Sequence, residues 1–111
     1  MGIAIARSIK EYGEPVLIIA SSDMTHYEPQ KSTEQKDRMA IDQIIKLDPR
    51  GLFDTVRNQS ISMCGFIPAT IMLIACKELG AQRAEMIKYM TSGDVSGDYD
   101  QVVGYAGVVI A

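Results

Sequence analysis

Residues 16 to 20 read Val-Leu-Ile-Ile-Ala, and this unbroken apolar run constrains the fold more than any other segment of the chain. Apolar runs without polar alternation are typical of strands that are buried on both faces. The run therefore predicts a central strand in a layered structure. The polar stretch Ser-Ser-Asp-Met-Thr-His-Tyr follows directly, and α/β sheets place ligands just past the ends of such strands.

The rest of the chain predicts four helices and two further strands. The first helix is expected at 2 to 12 with a stop at Gly13, and the second runs from a Ser32–Gln35 capping box to Asp48. A short third helix is expected to begin with Asp48 as N-cap and Pro49 as first residue. The fourth is expected from Cys64-Gly65 to Gly80. The strands are expected at 86 to 90 and 102 to 110, with a loop from 91 to 100 between them. This order predicts the α/β class, as a layered α/β/α arrangement.

Composition limits the functions that this chain can serve. With 111 residues there is room for one small domain. The net charge is −3 and the Lys and Arg residues form no cluster, which argues against a nucleic-acid surface. No apolar stretch approaches the ~20 residues that span a bilayer, and the N-terminus has no signal-peptide pattern. The sequence predicts a cytoplasmic protein without nucleic-acid or membrane partners.

Asp23 and His26 are the first candidates for chemistry, because they lie three residues apart just past the expected strand. A carboxylate and an imidazole can serve acid–base catalysis or bind a metal ion. His26 is the only histidine in the chain. The alternative is a turn-forming Asp beside a surface His, and the spacing alone does not decide between them.

Cys64 is the third candidate, because it lies at the expected N-terminus of a helix. The amide dipoles there favour the thiolate, which binds metals and attacks electrophiles. The alternative is a small buried apolar side chain, which is the expected state of Cys76 within the same helix. That helix would hold the two cysteines ~18 Å apart, too far for a disulfide. Together Asp23, His26 and Cys64 could form an incomplete metal site.

Three separated motifs resemble the Memo family. Residues 18 to 27 are similar to its S-S-D-x-x-H segment, in which an aromatic residue follows the His. Cys64-Gly65 followed by Pro68 resembles its C-G-x-x-P segment, and residues 91 to 94 and 103 to 106 resemble its C-terminal tail. The resemblance covers nearly the whole chain in order.

This resemblance implies a fold related to the class III extradiol dioxygenases, which use non-haem iron. It implies Cys64, His26 and Asp23 as metal ligands, with Asp23 and His26 also as catalytic groups. Family pockets combine such residues with N-terminal histidines that have no counterpart here. Because oxygen-activating iron sites usually present two His and one carboxylate, a Cys argues against ordinary ring cleavage.

Residues 1 to 111 are accordingly expected to be the C-terminal half of a Memo-like domain. One hypothesis is a metal-dependent redox protein with an iron-type pocket that is incomplete in this chain. The other is a binding module without chemistry, for a phosphotyrosine-type peptide or a small acidic ligand. In microbes the family is named with the AmmeMemoRadiSam group. An inactive fragment is a third interpretation. The expected partners are the absent N-terminal half or a second copy, because the apolar segments need cover.

Overall fold

The computed structural model describes all residues from 1 to 111 and contains five helices and three strands. In chain order they are α1 Gly2–Tyr12, β1 His26–Glu28, α2 Gln30–Ile45, α3 Pro49–Asn58, α4 Phe66–Glu78, β2 Ala84–Thr91, α5 Gly93–Ser96 and β3 Val102–Ile110. The chain therefore belongs to the mixed α/β class, as the sequence predicts. None of its helices has both the length and the apolar character required to cross a membrane.

The sheet is antiparallel, in the order β1-β3-β2. Met86 and Val108 pair across β2 and β3 and pack on the helical core, as do Tyr89 and Ala106. The opposite face remains exposed, including Ile87 and other large side chains. The prediction of an α/β/α arrangement is therefore wrong for these residues, because helices cover only one face of the sheet.

The core lies where α2, α3 and α4 meet. Leu52 of α3 and Leu73 of α4 are fully buried within one apolar cluster of 11 residues. As predicted, α3 begins with Asp48 as its N-cap, and the Asp48 carboxylate accepts a hydrogen bond from Gly51 N. This cap and Pro49 let the chain reverse sharply between α2 and α3. The packed helices form the base on which the two site loops rest.

Residues 16 to 20 are not a strand, which corrects the first prediction. No residue from 14 to 23 forms a hydrogen bond between backbone groups. Leu17 is 82% exposed and Ile19 is 78% exposed. A buried strand needs neighbours on its edges and cover on both faces, and the other strands of this chain pair only with one another. Without such neighbours, the apolar run stays irregular.

An apolar cavity of about 500 Å³ separates residues 16 to 20 from α4 and the end of β3. Cys76 lines this cavity and is only partly buried, although the sequence predicts burial. Its Sγ lies 3.5 Å from Met72 Sδ, and burial raises the pKa of the thiol. Cys76 therefore behaves as an apolar side chain beside an open cavity.

Several smaller boundaries differ from the prediction. Helix α2 begins at Gln30, so the expected capping box lies inside the helix, and the Ser32 hydroxyl donates to the Glu28 carboxylate instead. Strand β1 and the short helix α5 had no clear sequence signal. By contrast, α1 ends at Gly13 in the left-handed conformation, and β3 has the predicted bounds.

Candidate metal centre

The segment that carries Asp23 and His26 is held against β3. Met24 N donates to Gly104 O at 2.9 Å, and Gly104 N donates to Thr25 O at 3.0 Å. These two bonds extend the pairing between β1 and β3 by one step toward the N-terminus. The backbone of Met24 and Thr25 is therefore hydrogen-bonded to β3, whereas residues 14 to 23 form no such bond.

Ser22 joins this segment to the loop that precedes α4. Its hydroxyl oxygen accepts a hydrogen bond from Gly65 N at 2.7 Å, and the hydroxyl donates to Asp23 O at 2.8 Å. A Cβ atom on Gly65 would lie 2.6 Å from Ser22 Cβ, so only glycine allows this approach. The contact brings Cys64 to the loop that carries Asp23.

The ligand atoms of Asp23, His26 and Cys64 all lie within 4.8 Å of one another. Asp23 Oδ2 is 3.5 Å from His26 Nε2, and Asp23 N donates to Cys64 Sγ at 3.4 Å. Asp23 and Cys64 are exposed, and His26 is partly buried. The structure thus brings together all three residues that the sequence singled out, although their roles as metal ligands and catalytic groups stay predictions.

Ser62 orients the His26 side chain. His26 Nδ1 lies 2.6 Å from Ser62 O, while His26 N donates to Ser62 Oγ at 2.8 Å. A carbonyl oxygen can only accept, so this bond requires a proton on Nδ1. In the neutral ring, Nε2 then keeps its lone pair and faces the other two ligands. A histidine ligand that donates its second nitrogen to a carbonyl group is the usual arrangement in metal sites.

The donor set fits a transition metal. Thiolate and imidazole groups suit zinc, iron or copper, whereas magnesium and calcium prefer oxygen ligands only. Three protein donors fall short of a closed tetrahedral site. The cluster is therefore suited to an open or shared site.

Other residues support the site but gave little sequence signal. Ser22 had no partner assigned from sequence, and Ser62 acts mainly through its backbone carbonyl, which no pattern of side chains reveals. Asp37 of α2 also reaches the segment, because its carboxylate accepts a hydrogen bond from Thr25 N at 2.8 Å. A buried Asp among apolar helix positions was the one signal that could have indicated this contact.

The fold and site define a mixed α/β chain with a three-residue cluster suited to a transition metal. Comparison with known proteins then shows that the chain belongs to the Memo family: the family model described as Memo-like protein matches residues 1 to 109. The match bears out the resemblance in the three motifs.

Several archaeal relatives are similar over almost the whole chain. A MEMO1 family protein of Methanocaldococcus jannaschii is 46% identical over 110 residues, which are 99% of this chain and 38% of the relative. A MEMO1 family protein of Pyrobaculum aerophilum is 48% identical over 109 residues, 98% of this chain and 39% of the relative. The chain thus spans about two fifths of the length of these relatives.

Proposed function

We propose that this chain supplies a thiolate, an imidazole and a carboxylate to an iron-type site that serves metal-dependent redox chemistry. The observation that carries the proposal is the convergence of the Cys64, His26 and Asp23 ligand atoms within 4.8 Å. Membership in the Memo family supports it, because the resemblance implies a pocket of this kind and a fold related to the class III extradiol dioxygenases.

Each residue has a distinct part in the proposed site. His26 offers Nε2 because Ser62 O occupies its other nitrogen. Cys64 offers Sγ, which accepts a hydrogen bond from Asp23 N and is thereby held beside the Asp23 loop. The Asp23 carboxylate completes the set, and beside His26 it can accept or release a proton during turnover. Iron bound to these groups would supply electron transfer and oxygen activation.

The remaining ligands are proposed to come from polypeptide beyond these residues, either from the other part of a Memo-length protein or from a second copy. Three donors leave at least one position of a tetrahedral metal open. We therefore expect the isolated chain to bind metal weakly. The thiolate makes ordinary ring-cleaving dioxygenation a poor fit, because those sites use nitrogen and oxygen ligands.

Cobalt(II) titration of the chain tests this proposal, since cobalt bound to a thiolate gives a charge-transfer absorption in the near ultraviolet. We expect this band in the wild-type chain, its loss in Cys64→Ser and a marked reduction in His26→Ala. Cys76→Ser is the matched control, because Cys76 lines the apolar cavity and lies outside the cluster. This variant should keep the band.

A redox assay follows the titration. The chain loaded with ferrous iron and given a chemical reductant should consume oxygen faster than free iron, and Cys64→Ser should remove the excess. A cobalt band that depends on Cys76, or no band at millimolar cobalt, would refute the metal site. The second result would favour the alternative that the cluster binds a ligand without chemistry.

A further inference from the structure

Asp37 is a fully buried carboxylate that the proposed metal site does not use directly. It lies on the inner side of α2, and no Lys, Arg or His is within ion-pair distance. An ionised group in such a place carries a large desolvation cost, and an apolar side chain of similar volume is often at least as stable. Stability alone therefore gives no reason for a carboxylate here.

The two oxygens of Asp37 have separate partners. Oδ1 accepts from Thr25 N at 2.8 Å, and Oδ2 accepts from the Tyr89 hydroxyl at 2.5 Å. Burial, the bond to Asp37 and nearby negative charges raise the pKa of Tyr89 well above its ordinary value. The Tyr89 hydroxyl therefore remains a hydrogen-bond donor, and it holds the carboxylate in one orientation.

Gly104 closes the arrangement from the other side. A Cβ atom on this residue would overlap Asp37 Oδ2, so glycine lets β3 pass directly over the carboxylate. The same residue bonds Met24 N and Thr25 O. The peptide groups of residues 24 and 25 are thus fixed by β3 and by α2 together, between the candidate ligands Asp23 and His26.

We propose that Asp37 is a positioning residue that, through Thr25 N, holds Asp23 and His26 in the arrangement required for ligand binding. The consequence for metal affinity rests on the proposed function above, whereas the effect on His26 orientation does not. Changing a hydrogen-bonding partner behind a metal ligand typically weakens metal binding 10- to 100-fold. Asp37 bonds Thr25 N and not a candidate ligand itself, so Asp37→Ala should raise the cobalt dissociation constant about tenfold, at the lower end of this range.

Conservative variants distinguish a role of Asp37 in positioning the ligands from a role in folding. Asn at position 37 keeps an oxygen for Thr25 N, and its amide can donate to the Tyr89 oxygen. The cobalt affinity of Asp37→Asn should therefore stay within about threefold of the wild-type affinity. The affinity of Tyr89→Phe should lie between those of Asp37→Asn and Asp37→Ala. Ile44→Val is the control, because it removes one methyl group from the same helix and the same core without altering a polar contact.

A second measurement needs no metal. Because the chain has one histidine, the side-chain nitrogen-15 spectrum reports His26 alone. At a pH where the ring is neutral, the wild type should show the Nδ1-protonated tautomer that the Ser62 bond requires. Asp37→Ala should shift this spectrum toward a mixture of tautomers, and Asp37→Asn and Ile44→Val should not.

The outcomes are distinct. Asp37→Ala with wild-type cobalt affinity and tautomer would overturn the positioning role and leave the metal site standing. A wild-type chain that binds no cobalt would refute the proposed function, and the tautomer spectra would then decide the role of Asp37. If Asp37→Ala does not fold, Tyr89→Phe carries the test, and an unchanged His26 spectrum and cobalt affinity in that variant would refute the inference.

Discussion

Substitution of Gly65 by Ala should damage both stability and the candidate site. Gly65 has φ −103° and ψ 29°, a conformation open to any residue, so no backbone strain is expected from the added methyl group. The space is the obstacle. The new Cβ would lie 2.6 Å from Ser22 Cβ and 2.7 Å from Ser21 O, whereas ordinary contacts are 3.4–4 Å.

The two loops must therefore separate by at least about 0.8 Å, the difference between 2.6 and 3.4 Å. Overpacking of this kind costs about 1–3 kcal/mol. The Gly65 N bond to Ser22 Oγ, now 2.7 Å, would also weaken at a cost of about 1 kcal/mol. We expect Gly65→Ala to lower the free energy of unfolding by about 2–4 kcal/mol. Cys64 would move away from Asp23 with the loop.

Urea unfolding and cobalt titration measure these two effects. Gly107→Ala is the matched control, because nothing lies within 4 Å of its added Cβ and its φ is not positive. It should leave cobalt binding unchanged and keep or slightly raise stability, by about 0.5 kcal/mol. Equal urea midpoints and equal cobalt affinities for Gly65→Ala and Gly107→Ala would contradict this prediction.

Three further predictions concern other parts of the chain. The buried Thr25 hydroxyl has no hydrogen-bond partner, so Thr25→Val should unfold at an equal or higher urea concentration; a loss above about 1 kcal/mol would contradict this. Burial alone would raise the pKa of Glu28, but the hydrogen bonds from Ser32 and Lys36 and the charge of Lys36 lower this pKa overall. The ionised carboxylate therefore stabilises the fold above pH 4.5, and this stabilisation is lost as the pH falls below that value. Glu28→Gln should be less stable than wild type at pH 7, with the gap closing in acid; a gap independent of pH would exclude this reason. Exposed Leu17 and Ile19 should drive self-association of the chain, so sedimentation equilibrium should give a mass above 12.2 kDa. This mass should fall in the double variant Leu17→Lys/Ile19→Lys. A wild-type chain that is monomeric at every concentration would contradict the prediction.

Much of the local structure could be predicted because it depends on neighbours in sequence. The Gly13 stop of α1 and the Asp48 cap of α3 follow from the backbone freedom of glycine and from a short carboxylate within reach of free amide groups. The prediction for residues 16 to 20 was wrong for the opposite reason. A buried strand depends on partners distant in sequence, and these residues find none within the chain.

Family membership, the four longer helices and the three candidate ligands could be read from the sequence alone, because motifs and periodicities are properties of short segments. Only the tertiary structure brought Asp23 and Cys64 together across 41 positions and showed Ser62 O fixing the His26 ring. It alone revealed Asp37 beneath the site, through Thr25 N and the Tyr89 hydroxyl. Most of these contacts use a backbone group, which every residue type carries, and all of them join residues from different elements, so the sequence pattern does not show which residues meet.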